Sequence, residues 1–508
     1  MEQIAELSEA PPDSLQVPAE ISNVRDAARS ELPWILAAGA IVVVQLWFGL
    51  IATSFWLDET GTWWIVKDGA AEAVRRSLSW SGQSPLFYLI AWSSSRLFGL
   101  NEVALRIPSV LAMSGAVYFV YRIAERLYDR ASAALASFVF LCVGSYFAID
   151  ARPYALAILC LTVSTWALLR WLDSSRMMDG VLYVIAGAMV VYAHCVLSVG
   201  LGAGVVYAVV AVRKQPRRLV WMALMMAATD LLSLPLISQL KTFYATRSVH
   251  TFTGAPAFDD LLIGLIPASL AGLLILIVWL DAAYNRNTES ARPLCSAQVV
   301  VLIGTWALFS PVFLFLLSVC TDVRLFVDRY YSSALPGQAL LLGGLLSSVQ
   351  RSSLRKALIV AVAATAILTQ GRSAVGNHGK EDWRTAMAVV DKEAGSAPVL
   401  LVSPFAEATD FKSLRDPKLR EILFAPEALY GEPVRSIRLP HVFASRDTAD
   451  LENVAGQLKN ERRFYLLTDK PDQSYEFWLL GKVDSGCRPE LAERSFGYIR
   501  IARFTCRD

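Results

Sequence analysis

Residues 33–60 read PWILAAGAIVVVQLWFGLIATSFWLDET: an uncharged apolar run from Pro33 to Phe55 ends on two adjacent acids, Asp58 and Glu59. A helix crosses the hydrocarbon core with about 20 residues, so this run is long enough. Acids at the end of a span are costly and mark function or a partner. The pair has two readings of about equal weight. Asp58 caps an interfacial helix that opens at Glu59-Thr60-Gly61, or it takes a proton from an acceptor hydroxyl while Glu59 holds a cation or a sugar hydroxyl.

The rest of the chain sets the class. Of 508 residues, 55% are hydrophobic and 18% charged, which excludes an ordinary soluble enzyme. A formal net charge of +2 gives no basis for nucleic-acid binding. Apolar runs recur at 33–55, 103–121, 131–149, 153–169, 180–196, 197–212, 219–238, 261–280, 297–320, 330–350 and 355–371, so about eleven spans are expected. The run 85–98 is too short to cross and reads as an interfacial or re-entrant helix.

Charge orients these spans. One set of short loops holds Arg122, Arg126, Arg130, Arg170, Arg176, Arg213, Lys214, Arg217, Arg218, Arg286, Arg292, Arg351, Arg355 and Lys356, 14 bases. The opposite set holds Arg152, Lys241, Arg247, Arg324 and Arg329, five bases. The richer side is cytoplasmic by the positive-inside rule. Asp58, Glu59, Arg106, Asp150, Arg152, His194, Asp328 and Arg329 then share the external face.

Three parts follow along the chain. Residues 1–32 are acidic with no apolar face and read as a disordered cytoplasmic tail. They lack the basic segment of a cleavable signal, so the first span is expected to remain. Residues 33–374 form the multi-span domain, whose first external loop is 56–102. Residues 375–508 read as a small extracytoplasmic α/β domain, with strands expected at 399–402, 464–467 and 497–501. Its cysteines, Cys487 and Cys506, are able to pair in an oxidising compartment.

Arg152, in Asp150-Ala151-Arg152-Pro153-Tyr154, and Arg329, in Val327-Asp328-Arg329-Tyr330-Tyr331, sit at span ends. Each alone reads as a surface ion pair of little worth. Together with Arg106 they form an anion site, because guanidinium bonds phosphate oxygens in a planar fork. Asp150, Tyr154, His194 and Tyr330 are supporting residues. A lone histidine such as His194 is more often structural than a zinc ligand. Asp230, mid-span, is expected to be satisfied by a neighbouring helix, and Trp56, Trp63, Trp64 and Trp80 read as interfacial anchors first, with stacking on a sugar as the second reading. No phosphate-binding or dinucleotide-binding glycine loop and no serine elbow is present. The external face has no nucleotide pool, so a reaction there draws on a lipid-linked donor.

Leu57-Asp58-Glu59, Ser84-Pro85-Leu86-Phe87-Tyr88, Leu97-Phe98-Gly99, Glu102 to Ser109 and Asp150 to Tyr154 resemble, in order and spacing, the polytopic GT-C glycosyltransferases. The nearest group is similar to bacterial relatives of the dolichyl-phosphate-mannose protein mannosyltransferases and the aminoarabinose lipid A transferases. The likeness is densest over 50–175 and resumes at Tyr192-Ala193-His194, Asp328 to Tyr331, Leu335-Pro336-Gly337 and Glu381-Asp382-Trp383-Arg384.

The resemblance implies an inverting transfer of a sugar from a polyprenyl-phosphate donor to a glycan, lipid or protein hydroxyl. The setting would be the outer face of a bacterial cytoplasmic membrane, among membrane lipids and without nucleic acid. It matches Asp58 to the catalytic acid, Glu59 to its companion, and Arg106, Arg152 and Arg329 to positions near the donor phosphate. Gln83-Ser84-Pro85 stands where relatives carry His-Pro-Pro, and Ile149-Asp150-Ala151-Arg152 where they carry Gln-Glu-Ala-Arg. No metal is therefore expected to be required, and a divalent cation stays open. The runner-up is a lipid-linked sugar transporter or flippase, which broken helices at 180–212 and a buried Asp230 would suit. A membrane-anchored binding protein acting through 375–508 ranks last.

Overall fold

The computed structural model describes residues 19–79, 84–245, 254–265, 267–284, 297–377, 381–417, 419–443, 447–469, 474–482, 487–491 and 496–506. Up to Asn377 every regular element among them is helical. Helix α1 (Ala19–Val42) widens into a π turn at Val43–Phe48. Three short helices follow: α2 (Leu57–Val66), α3 (Ala70–Ser79) and α4 (Pro85–Phe98). The bundle continues with α5 (Glu102–Leu127), α6 (Arg130–Ala148), α7 (Tyr154–Ser174), α8 (Met177–Ala193), α9 (Leu201–Val212) and α10 (Pro216–Ser233). It ends with α11 (Ile237–Ala245), α12 (Phe258–Gly264), α13 (Pro267–Tyr284), α14 (Ala297–Cys320), α15 (Leu335–Ser348) and α16 (Ser352–Asn377).

Local chemistry starts these helices where the sequence allows it. Asn101 accepts the Ala104 N–H at the head of α5, and Asp129 accepts the N–H groups of Ala131 and Ser132 at the head of α6. Small residues then let α5, α6 and α7 approach closely: Ala112, Ala116, Ala133, Ala136 and Ala157 are buried. Leu36, Phe48, Leu111, Leu224, Leu231, Trp279 and Leu316 lie exposed on the outside, as a lipid-facing surface requires.

Among the described residues, eight helices are long and apolar enough to cross a membrane, fewer than the eleven expected. The run 180–196 falls in α8, which has 17 residues; 261–280 is divided between α12 and α13; and 330–350 yields α15, with 14 residues. Helix α15 is sheathed by protein. A Cβ on Gly343 would meet Ala136 at 2.4 Å, and one on Gly337 would meet Ala307 at 2.6 Å. A helix buried among neighbours does not need spanning length. The break expected in 180–212 is at His194, which is extended between α8 and a 3-10 turn at Cys195–Gly200.

Two further expectations change. The segment read as a disordered tail is helical from Ala19, because its alanine, glutamate and arginine content favours helix even without an apolar face; residues 1–18 lie outside the described residues. Glu31, within that segment, is buried and bonds Arg355 of α16 at 2.5 Å. Asp230 is exposed on α10 rather than enclosed by a neighbour. Arg247, Arg286, Arg292, Trp80 and Gln83 lie outside the described residues.

The C-terminal part contains α17 (Trp383–Ala394), β1 (Val399–Val402), α18 (Phe411–Leu414), α19 (Ala425–Tyr430), β2 (Ser436–Leu439) and α20 (Thr448–Leu458). It closes with β3 (Arg463–Thr468), α21 (Ser474–Lys482), β4 (Cys487–Leu491) and β5 (Arg500–Cys506). The sheet order is β2-β1-β3-β5-β4, parallel for β2-β1-β3 and antiparallel for β3-β5-β4. The expected strand at 497–501 begins instead at Arg500. Strands β2 and β4 escaped the reading because they are polar edge strands, and β4 carries Pro489, which only an edge tolerates.

Cys487 and Cys506 are disulfide-bonded across β4 and β5, closing a loop with a sequence separation of 19. Replacing both by serine should cost the domain about 3 kcal/mol, read as a lower unfolding midpoint of its circular-dichroism signal.

Candidate active site

Glu59 and Arg106 organise the loop that leaves α1. Both are 0% exposed, so each charge needs a partner and full hydrogen bonding. Arg106 donates from Nε to Glu59 Oε1 at 2.8 Å and from Nη2 to Oε2 at 2.5 Å. Its remaining donors reach backbone carbonyls of Ile51 (2.9 Å), Thr53 (2.8 Å) and Ser54 (3.2 Å). Glu59 also accepts the N–H of Ala151 at 2.7 Å and that of Trp56 at 3.3 Å. The capping reading thus belongs to Glu59, which reaches back to Trp56 at the head of α2. Arg106 faces these carbonyls and Glu59, not an open anion site, contrary to the sequence expectation. The pair ties the loop after α1 to the α6–α7 turn.

With Glu59 so engaged, Asp58 is left at the surface of the site. Its side chain is 23% exposed, and Oδ2 accepts from Arg329 Nη1 at 2.7 Å. Arg152 Nη2 lies 3.7 Å from the same oxygen, and its Nη1 donates to the Asp58 carbonyl at 3.2 Å. The Nε of Arg152 and the Nε of Arg329 are both buried with no hydrogen-bond partner. Unpaired buried donors of this kind cost about 1–3 kcal/mol each unless a ligand meets them.

Aromatic rings back the two cations. The Arg329 guanidinium sits 5.9 Å from the Trp56 ring and 5.6 Å from Tyr330. His194 lies between Tyr154 and Tyr330, with centroid distances of 5.0 and 5.7 Å. Burial, then the charges of Arg152 and Arg329, lower its pKa to about 3, so the ring is neutral. The break at residue 194 therefore delivers an uncharged packing ring beside two cations.

Asp150 lies beneath Trp56, whose Nε1 donates to Oδ1 at 3.2 Å, while Oδ2 is buried without a partner. Burial, then the Glu59 charge, raise its pKa to about 8 against the opposing pull of Arg152. The folded chain holds a proton there that the unfolded chain gives up near pH 4. This contribution is present at low pH and is lost as pH rises toward about 8. Asp150→Asn keeps the shape and needs no proton. The wild type should lose about 1 kcal/mol per pH unit relative to this variant between pH 5 and 8, measured as paired unfolding midpoints.

A cleft of about 200 Å³ opens beside Arg329, lined by Trp56, Tyr146, Phe147, Asp328, Arg329, Glu381 and Tyr498. Two of these walls come from the C-terminal part. Glu381 Oε2 accepts the Leu57 N–H at 2.7 Å and Trp383 Nε1 at 3.5 Å, and burial pushes its pKa up to about 7. The same part docks elsewhere on the loop. Tyr430 donates to Glu102 at 2.8 Å and accepts from Phe55 N, Arg384 also pairs with Glu102, and Glu421 accepts Trp64 Nε1 at 3.2 Å and pairs with Lys67 at 3.3 Å.

The structure therefore brings Asp58, Glu59, Arg106, Asp150, Arg152, Tyr154, His194, Arg329 and Tyr330 into one place. Sequence reasoning missed Glu381 and underrated Trp56. Glu381 stood in the quoted stretch Glu381 to Arg384 without a role, and Trp56 was read as an anchor although it contacts both Asp150 and Arg329. Among the described residues, no group of three or more His, Cys, Asp or Glu is placed to hold a metal ion.

Residues 82–238 match the protein family described as dolichyl-phosphate-mannose-protein mannosyltransferase. No curated protein matches the sequence at a significant level. Among solved structures, ArnT from Cupriavidus metallidurans in the apo state superposes with a TM-score of 0.54 and 14% identity, over 93% of this chain and 98% of that chain. The same protein bound to undecaprenyl phosphate gives 0.53 and 14%, with the same 93% and 98% coverage. This chain has an ArnT-like fold: a polytopic helical membrane domain followed by a mixed-sheet C-terminal domain.

Proposed function

We propose that this protein is an inverting glycosyltransferase that moves a sugar from a polyprenyl-phosphate donor to an acceptor hydroxyl at the outer face of a bacterial cytoplasmic membrane. One observation carries the reading: Asp58 lies between two guanidinium groups whose Nε–H donors are buried and unmet. Glu59 cancels Arg106, burial favours the neutral form of Asp150, and His194 is neutral. Of the three groups in contact, Asp58 with Arg152 and Arg329 leaves one positive charge, with the acids Asp328 and Glu381 on the cleft wall beside them. A phosphodiester, with one negative charge, balances it and supplies acceptors for both Nε–H groups. The family match over 82–238 and the undecaprenyl phosphate held by ArnT support the same donor class.

The chemistry follows from that arrangement. A donor phosphate takes over Arg329, which frees Asp58 Oδ2 for the acceptor. The acceptor oxygen attacks the anomeric carbon as its proton passes to Asp58. The bond from that carbon to the phosphate oxygen breaks, and its electron pair leaves on the polyprenyl phosphate, where Arg152 and Arg329 stabilise the charge. Attack opposite the leaving group inverts the anomeric centre. The basic-residue asymmetry of the loops and the Cys487–Cys506 disulfide support an external site and C-terminal domain.

The test uses the purified protein in liposomes, a radiolabelled polyprenyl-phosphate sugar and an envelope extract. The expected result is label in a glycoside of inverted configuration, no longer extractable as donor lipid. Label that stays on the lipid and merely crosses the bilayer would instead establish the transporter.

A further inference from the structure

Helix α2 carries Asp58 as its second residue, so whatever holds the first turn of α2 holds the carboxylate. The first N–H groups of a helix have no partner within it. At α2 two of them are met from outside the backbone ladder: Trp56 N–H by Glu59, and Leu57 N–H by Glu381, a residue 324 positions away. Glu381 is itself anchored on two sides. It accepts Trp383 Nε1, and its backbone forms an antiparallel bridge with Gly497. Both Glu381 and Tyr498, next to Gly497, line the cleft.

We propose that Glu381 is a positioning residue: through its bond to the Leu57 N–H, the C-terminal domain sets where the Asp58 carboxylate stands against Arg329 and Arg152. The domain then forms part of the active site, not a separate appendage. The proposal deepens the glycosyl-transfer reading and rests on it only for its kinetic arm. Glu421 offers the matching control, since it joins the same domain to the far end of α2 without touching its first turn.

Four proteins decide the matter: wild type, Glu381→Ala, Glu381→Gln and Glu421→Ala. The glutamine carbonyl can still accept the Leu57 N–H; alanine cannot. Glu381→Ala should lower kcat by about 10–100-fold, the scale of a displaced reacting group, with the affinity for polyprenyl phosphate alone unchanged. Glu381→Gln should restore most of the rate, and Glu421→Ala should keep it. Wild-type kcat in Glu381→Ala overturns the proposal. So does Glu381→Gln as slow as Glu381→Ala, or Glu421→Ala slowed equally.

Amide exchange reads the same bond without any turnover. In Glu381→Ala, residues 57–60 should exchange faster by a factor of about 2–30, the value of a lost helix cap, while α6 and α7 stay protected. Unchanged exchange at 57–60 overturns the proposal. A wild type that transfers no sugar counts against the glycosyltransferase reading alone, and the exchange result then stands by itself.

Discussion

Asp58→Asn should lower sugar transfer by about 10²–10⁴-fold, the range for loss of a general base. The side chain keeps its size and can still accept a hydrogen bond from Arg329, so the fold around α2 should persist. What it loses is the ability to take the acceptor proton. The charge count sharpens the expectation. The site of Asp58, Arg152 and Arg329 goes from one net positive charge to two, so polyprenyl phosphate alone should bind at least as tightly as before. Initial rates at saturating donor, paired with a binding titration, separate the two effects. A variant that transfers at the wild-type rate would remove Asp58 from the mechanism. One that loses both rate and donor affinity would make it a donor-binding group.

Glu59→Ala should act on stability before it acts on rate. It leaves the Arg106 guanidinium 0% exposed and without its counter-ion, and it strands the N–H of Ala151. Breaking a buried pair on one side costs about 3–5 kcal/mol, a large share of the margin of an ordinary fold. The protein should show a lower unfolding midpoint in detergent, and activity should fall with the folded fraction. Replacing Glu59 and Arg106 together by methionine should recover part of that loss, because no bare charge is then buried. A single variant as stable as the wild type would mean that the pair does not secure the loop.

These two neighbours show where sequence reading reached and where it stopped. Hydropathy and loop charge were sufficient to gather Asp58, Arg152, His194 and Arg329 on one side. They also placed the short helix Pro85–Phe98 within its true bounds. Which end of a span a residue occupies is a property of segments, and composition carries it. Depth is a property of single side chains, and composition does not. Nothing in Leu57-Asp58-Glu59 distinguishes the enclosed acid from the half-open one; contacts reaching 47 and 271 positions along the chain do so. The same limit hid Glu381, whose partner is a backbone N–H with no sequence signature. It also hid the span count, because α15 is short where protein surrounds it. Strands β2 and β4 were lost for a different reason, since edge strands need no alternating apolar face.

The clasp between Glu31 and Arg355 joins α1 to α16, residues 324 apart in the chain. During synthesis α1 enters the membrane long before its partner exists, and Asp58 emerges 271 residues ahead of Arg329. The carboxylate, the guanidinium that faces it and Glu381 can all meet only after residue 381 has been made. A chain that stops short of residue 381 therefore lacks the acceptor for the Leu57 N–H, even though it already holds Asp58 and Arg329.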